Sequence, residues 1–257
     1  MRITFLGTGT SNGIPIIGCT CAVCTSSDPR DQRTRTSAVV EWNGRNILID
    51  TATELRLQAI SAGLDHVDAV LFTHPHADHL GGFDELRRFN EISQAHLPVY
   101  ASRETASQLL GRFGYAFEDQ FPFYGGKPDL ELHEFDGPFT LFGELIHPIP
   151  ATHGSWTVHG FRMGPLAYLT DAKEIPDSSM DLLRDADVLV LNALRERPHP
   201  THLSLDDALG VIAEVKPARA FLVHLAHELS HEDASARLPE HVSVAWDGLS
   251  VDIAPVG

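Results

Sequence analysis

The chain is expected to fold as an α/β protein in one unit spanning residues 1–257, and three observations lead there. Short apolar runs alternate with stretches whose apolar residues recur at helical spacing, the pattern of strands interleaved with helices. Hydrophobic residues make up 43% and charged residues 21% of the sequence, a balance that sustains a buried core rather than a disordered tail. A length of 257 residues lies within what α/β folds fill as one domain, and neither a fixed-period repeat nor a clear linker divides it.

The elements follow in order. Ile3–Leu6 reads as a strand entering the Gly-rich turn "GTGTSNG"; Ala38–Trp42 and Ile47–Ile49 are the next apolar runs. Glu54–Ala62 has helical periodicity, and the strand Ala69–Phe72 ends at the polar cluster "THPHADH". Phe83–Phe89 and Glu104–Phe113 fit helices on either side of the strand Val99–Ala101. Residues 121–138, rich in aromatics, Gly and Pro, read as a loop or hairpin insertion, a surface connection in preference to a flap. Strands are then expected at Phe139–Phe142, Leu145–Ile149, Leu166–Leu169, Val188–Leu191, Ala220–Val223 and Val242–Ala245, with helices at Met180–Asp185 and Leu205–Glu214. Ser204 opens the last helix with Asp207 three residues on, a capping box with Asp in place of Glu or Gln.

The amino end has no apolar segment of signal-peptide length, and no run approaches the roughly 20 apolar residues that span a bilayer. A cytoplasmic protein without a membrane partner is expected. A formal charge of −16 argues against nucleic acid, whose binding relies on Lys and Arg neutralising phosphates. A phosphate-bearing substrate would therefore need local positive charge from another source. Bound metal ions supply it, and the 15 histidines are ready ligands.

"THPHADH", Thr73 to His79, is where those histidines crowd. A buried histidine or carboxylate without a partner is costly, so the cluster requires water or a cation. On an extended turn His74 and His76 point the same way, while Asp78 and His79 follow where the chain bends into "GGFDELRRF". Such a turn aims two imidazoles at one ion and a carboxylate plus an imidazole at a second. A cation pair about 3.5–4 Å apart can acidify a shared water and clamp both ends of an in-line displacement.

These residues resemble the metallo-β-lactamase superfamily, whose signature is H-x-H-x-D-H after a strand. The resemblance implies a four-layer αββα sandwich, two mixed sheets flanked by helices, with one further His, a bridging Asp and a last His taken from later strand ends. "PIPATHGSW" offers His153, "LAYLTDAKE" offers Asp171 and "RAFLVHLAH" offers His224, each after an apolar run. By resemblance, His74, His76, His153 and Asp171 hold one metal, and Asp78, His79, His224 and Asp171 the other.

A second motif is "GCTCAVC". Cys19, Cys21 and Cys24 cannot all pair as disulfides, and in a reducing cytosol zinc ligation is the better physical reading. His227, three residues past His224, would complete a Cys3His site, with His231 as the alternative fourth ligand.

Together with Arg35-Thr36-Ser37 and a late H-x-x-H near Trp246-Asp-Gly248, this narrows the likeness to the PhnP-like phosphodiesterases, over nearly the whole chain. "FDELRRFNE" and "GRFGYAF" look more like a broader branch of that group. The resemblance implies hydrolysis of phosphoribosyl 1,2-cyclic phosphate or a 2′,3′-cyclic nucleotide by a metal-bridging hydroxide. It also implies Mn at the catalytic pair, with Zn or Fe as alternatives, one structural Zn at the cysteines, and a homodimer. Asp78 and His202 are the catalytic residues it implies, His202 of "RPHPTHLSLDDAL" as the general acid and His199 as the second candidate. Gly7, Gly9 and Gly13 allow an anion-binding nest or a plain turn, and Arg35, Arg195 and Arg197 are phosphate clamps or solvated charges. A tRNA 3′-processing type nuclease, a glyoxalase II type thioesterase and a non-enzymatic metal-binding protein are the rival readings.

Overall fold

Strand residues alternate between two different cores, which is why the runs read as continuously apolar. Ile47 and Ile49 face one apolar cluster while Leu48 between them faces another; Val188 and Val190 alternate with Leu189 and Leu191 in the same way. A period of two with both faces buried is the signature of a sheet covered on each side.

The computed structural model describes residues 1–118 and 126–254. The chain runs β1 (Arg2–Gly7), β2 (Ser37–Trp42), β3 (Arg45–Ile49), α1 (Leu55–Ala62), β4 (Ala69–Leu71), α2 (Ala77–Leu80), α3 (Leu86–Ser93), β5 (Leu97–Ser102), α4 (Arg103–Phe113) and β6 (Leu130–Phe135). It continues through β7 (Phe139–Leu141), β8 (Glu144–His153), β9 (Trp156–Met163), β10 (Leu166–Leu169), α5 (Asp177–Leu183), β11 (Val188–Asn192), α6 (Leu205–Val215), β12 (Arg219–Val223), α7 (His231–Ser235), β13 (Val242–Val244) and β14 (Ser250–Asp252).

These strands form two seven-stranded sheets, ordered β14-β1-β2-β3-β4-β5-β6 and β13-β12-β11-β10-β9-β8-β7. Both are mixed: β3 to β6 and β10 to β13 pair in parallel, the remainder antiparallel. One core lies between the sheets, a second under α1, α3 and α4, and a third under α5 and α6. The result is the expected αββα sandwich. Among the described residues no helix is long and apolar enough to cross a membrane. The capping box forms as expected: Ser204 Oγ accepts from the Asp207 N–H, and the Asp207 carboxylate accepts from the Ser204 N–H.

Some elements were not anticipated. Residues 121–138 are not simply a loop, because they contain β6, whose alternation of Leu130 and Leu132 with charged residues is too short and polar to read as apolar; residues 121–125 of that segment lie outside the described residues. β9 is masked in sequence by polar residues and Gly160. The glycine is required there, since a Cβ would come within 2.3 Å of the Tyr168 carbonyl oxygen on the neighbouring strand. β14, α2 and α7 are three to five residues long and carry too little pattern to detect.

Candidate functional site

Parallel strands release their side chains at their carboxyl ends, the usual place for sites in α/β sheets. Asp50 follows β3, His74 follows β4, Asp171 follows β10 and His224 follows β12, while His153 ends β8. Asp50, Asp171 and His224 all adopt left-handed backbone, φ 59°, 61° and 57°. Non-glycine residues rarely do so, and such strain clusters at functional sites. His76 caps α2, which places Asp78 and His79 in its single turn.

The donor atoms converge. Those of His74, His76 and His153 lie within 4.8 Å of one another, as do those of Asp78, His79 and His224. Asp171 sits between the two groups, its Oδ2 3.4 Å from His79 Nε2 and its Oδ1 3.2 Å from His224 Nε2. It also falls within 4.8 Å of the His74 and His79 donors. His202 Nε2 lies 3.0 Å from Asp171 Oδ1, and its ring stacks on His224 with centroids 5.1 Å apart.

Hydrogen bonding sets which nitrogen of each ring faces inward. Thr73 Oγ1 donates to Asp50 and so accepts from His74 Nδ1; Thr36 Oγ1 donates to the Gly9 carbonyl and so accepts from His224 Nδ1. His153 Nδ1 donates to the Thr201 carbonyl at 2.8 Å, and His79 Nδ1 donates to Asp50 Oδ2 at 2.7 Å. Four Nε2 lone pairs are thereby turned into the site, joined by His76 Nδ1, which lies 3.1 Å from His74 Nε2. His79 Nε2 is fully buried without a hydrogen-bond partner and faces the Asp78 and Asp171 carboxylates. Acceptors facing acceptors in a buried space need a cation, so the residues fit divalent metal.

The electrostatics agree. Burial pushes His74 well below its ordinary pKa and His224 down to about 4, so both imidazoles are neutral. Burial opposes a charge on His79, but Asp78, Asp171 and Asp50 outweigh it and raise His79 well above the ordinary range. Burial likewise opposes ionisation of Asp171, yet His224 and His79 hold it well below the usual carboxylate range. Without metal, His79 carries the proton that balances its carboxylates; a cation would displace it.

Asp50 was missed by sequence reasoning. It is fully buried and accepts from Thr73 N–H, Thr73 Oγ1 and His79 Nδ1. Its signal was an acid directly after the run Ile47–Ile49, the same rule that singled out Asp171 and His224. Arg112 of α4, which donates to the Pro75 carbonyl at 2.7 Å and so braces the turn between His74 and His76, carried no such signal.

Beside this site, Cys19, Cys21 and Cys24 Sγ lie 3.3, 3.4 and 3.6 Å from His227 Nδ1. A backbone N–H donated by Cys24 lowers Cys21 to about 7, while burial raises Cys24 to about 11. The donor set suits tetrahedral zinc. His231 lies outside this donor cluster: its ring packs edge-on against Trp246, and its backbone N–H donates to Asp31. Arg33, fully buried, ties both stretches together by donating to the Ala226 and Leu229 carbonyls and to Asp31.

The Gly-rich turn is not an anion nest. The Gly9, Thr10 and Gly13 N–H groups donate to the Thr34, Leu225 and Thr10 carbonyls, and Cβ atoms at Gly7 and Gly9 would come within 2.0 and 2.6 Å of the Arg35 and Arg33 carbonyls. These glycines serve close backbone packing. The arginines are also engaged elsewhere: Arg35 pairs with Glu54, and Arg195 and Arg197 with Glu228. His199 Nδ1 sits 3.1 Å from His202 Nδ1, one step farther from Asp171.

A cleft of about 350 Å³ opens onto these donors, lined by Ser11, Ser155, Trp156 and Thr201 besides the site residues. A larger groove of about 720 Å³ runs between α1 and α3, but no metal-donor cluster among the described residues lines it. The His and Asp donor clusters line the smaller cleft.

Residues 45–225, most of the chain, match the family model of the β-lactamase superfamily domain. The chain belongs to the metallo-β-lactamase superfamily. Within it, the likeness is to the PhnP-like branch: the crystal structure of a diphosphatase from the PhnP family superposes with a TM-score of 0.91 at 40% identity, covering 99% of this chain and 98% of that one. An octanoyltransferase of Porphyromonas gingivalis is 38% identical over 262 residues, all of this chain but 52% of that protein. The chain thus spans about half the length of that relative. An anti-Pycsar protein Apyc1 from Bacillus phage 010DV004 is 43% identical over 213 residues, 73% of this chain and 81% of that protein. In this superfamily setting, the His and Asp clusters described above support binding of divalent metal.

Proposed function

We propose that residues 1–257 act as one dinuclear metal-dependent phosphodiesterase hydrolysing a small cyclic phosphodiester, of the phosphoribosyl 1,2-cyclic phosphate or 2′,3′-cyclic nucleotide type. The observation that carries this reading is Asp171, whose buried carboxylate faces His79 and His224 of one donor group and lies within 4.8 Å of the His74 donor of the other. His74, His76, His153 and Asp171 would hold one cation, and Asp78, His79, His224 and Asp171 the other. Bound there, two divalent cations such as Mn, Fe or Zn acidify a water and neutralise phosphoryl charge. The chain's own residues do the rest. The Nδ1 bonds keep the imidazoles oriented, the left-handed backbone at Asp171 aims its carboxylate between the groups, and the cleft admits only a small substrate. His202, positioned by its Nε2 contact to Asp171 and by Thr201 at Nδ1, protonates the departing oxygen. Cys19, Cys21, Cys24 and His227 would hold one structural zinc.

The diphosphatase name of the 40% identical structure supports phosphoryl chemistry and adds a P–O–P bond to the candidates. A second reading, acyl thioester hydrolysis, is favoured by the whole-chain likeness to part of an octanoyltransferase. The cleft argues against it, since among the described residues its lining holds no Leu, Ile or Val side chain to receive an octanoyl group. A macromolecular RNA substrate is disfavoured by the charge of −16. The test is a panel of cyclic phosphodiesters, diphosphate diesters, bis-p-nitrophenyl phosphate and octanoyl thioesters, assayed with Mn- or Zn-loaded protein. Turnover of a phosphodiester above the others is expected. Preferred thioester cleavage would transfer the assignment to the second reading, and no turnover of any would leave a metal-binding protein.

A further inference from the structure

The hairpin that delivers His153 also delivers an indole. β8 ends at His153 and β9 begins at Trp156, with only Gly154 and Ser155 between them. Gly154, at φ 63°, occupies the first central position that a two-residue type II′ turn reserves for glycine. That register makes His153 and Trp156 the closing cross-strand pair. The indole therefore stands beside the donor histidines, its ring meeting His76 edge-on with centroids 6.0 Å apart.

Nothing about folding calls for tryptophan there. Trp156 belongs to none of the apolar cores, remains half-buried, and its indole N–H has no hydrogen-bond partner among the described residues. A β-branched residue would pair with His153 equally well. Among the described residues the cleft it walls contains no Lys or Arg, so none of them offers a cation to further phosphates on a bound ligand. A substrate with one phosphoryl charge and a flat apolar surface matches that lining better than a polyphosphate.

We propose that Trp156 is a stacking platform selecting phosphodiesters that carry a planar ring close to phosphorus, a nucleoside cyclic phosphate rather than a bare sugar cyclic phosphate. The inference rests on the phosphodiesterase reading and deepens it by choosing between its two substrate types. Stacking of a base on an aromatic side chain is sequence-tolerant because every base has a π-face. The selection is for the ring itself, not its identity.

The test compares kcat/KM for adenosine 2′,3′-cyclic phosphate with that for ribose 1,2-cyclic phosphate, using metal-loaded wild type, Trp156→Phe and Trp156→Leu. The ratio should fall on the order of tenfold in Trp156→Leu, chiefly through KM, and be largely kept in Trp156→Phe. Metal content is measured in each variant. Equal losses on both substrates, or loss of bound metal, would mean the indole only packs His76, and the inference is overturned. In parallel, the product adenosine 3′-monophosphate is titrated against tryptophan fluorescence. Quenching in wild type that disappears in Trp156→Phe supports stacking; no quenching, or quenching that persists through Trp42 and Trp246, overturns it. If wild type hydrolyses neither ester, the phosphodiesterase reading fails while the titration still decides the role of Trp156.

Discussion

Replacing Asp50 by asparagine exchanges one carboxylate oxygen for an NH2 group at the base of the site and should weaken metal binding without touching a donor. The carboxylate accepts three hydrogen bonds, from Thr73 N–H at 2.8 Å, Thr73 Oγ1 at 2.7 Å and His79 Nδ1 at 2.7 Å. A carboxamide has one acceptor oxygen, so its NH2 must face either a Thr73 donor or the His79 Nδ1–H. If His79 yields, its proton moves to Nε2 and the lone pair that faces Asp78 and Asp171 is lost. Buried hydrogen bonds to a charged group are worth about 1.5–3 kcal/mol each, and losing at least one while setting NH2 against its donor should cost about 3 kcal/mol. At roughly 2–4 °C per kcal/mol for a chain of this size, Tm falls by about 6–12 °C in the metal-free protein. Groups that orient a ligand from behind typically contribute 10–100-fold to affinity, so Asp50→Asn should bind Mn or Zn about 10–100-fold more weakly by isothermal titration calorimetry. Affinity within about threefold of wild type would refute the tautomer argument, because the His79 lone pair would then not depend on Asp50.

Three further outcomes are expected. His202→Ala should keep its metals and fold yet lose about 10²–10⁴-fold in kcat; retention of kcat within about tenfold, read with metal analysis, would remove His202 from the reaction. Cys21→Ser should release about one zinc per chain and lower Tm while the catalytic metals remain; unchanged zinc content would reject the Cys3His site. Asp247 is raised to about 6 by burial, only partly offset by hydrogen bonds from Thr34 and Thr8. A carboxyl raised in the fold binds its proton more tightly there, so its contribution is full below the unfolded value of about 3.9 and is lost as pH rises through 6, up to about 3 kcal/mol. Denaturant titrations should show that fall between pH 4 and 6 in wild type but not in Asp247→Asn; parallel curves would show that Asp247 does not titrate in this window.

The likeness to an octanoyltransferase at 38% identity covers about half of that protein. The cleft supports the phosphoryl reading independently. Its imidazole and carboxylate donors suit first-row divalent cations, its volume of about 350 Å³ admits a small ester, and its rim is polar apart from one indole among the described residues.

The sequence by itself determined the alternation of strands and helices and the H-x-H-x-D-H motif, while the αββα class and the later residues whose donor atoms meet in the structure were what the resemblance to the metallo-β-lactamase superfamily implied. The alternation and the motif are local: an apolar run declares a strand, and the histidine cluster follows one directly, whatever the strand pairs with. The capping box at Ser204 and the gathering of Cys19, Cys21 and Cys24 were legible for the same reason. Only the tertiary structure decided what depends on which strands are neighbours. It showed that Asp50 sits behind His79, that Gly7 and Gly9 pack against Arg35 and Arg33 rather than cradle an anion, and that Arg33 joins Asp31 to the Ala226–Leu229 segment beside His227. It also set the register that pairs Trp156 with His153. Each of these is a contact between chain segments whose pairing no short stretch encodes, because it follows from sheet order and from the burial that order imposes.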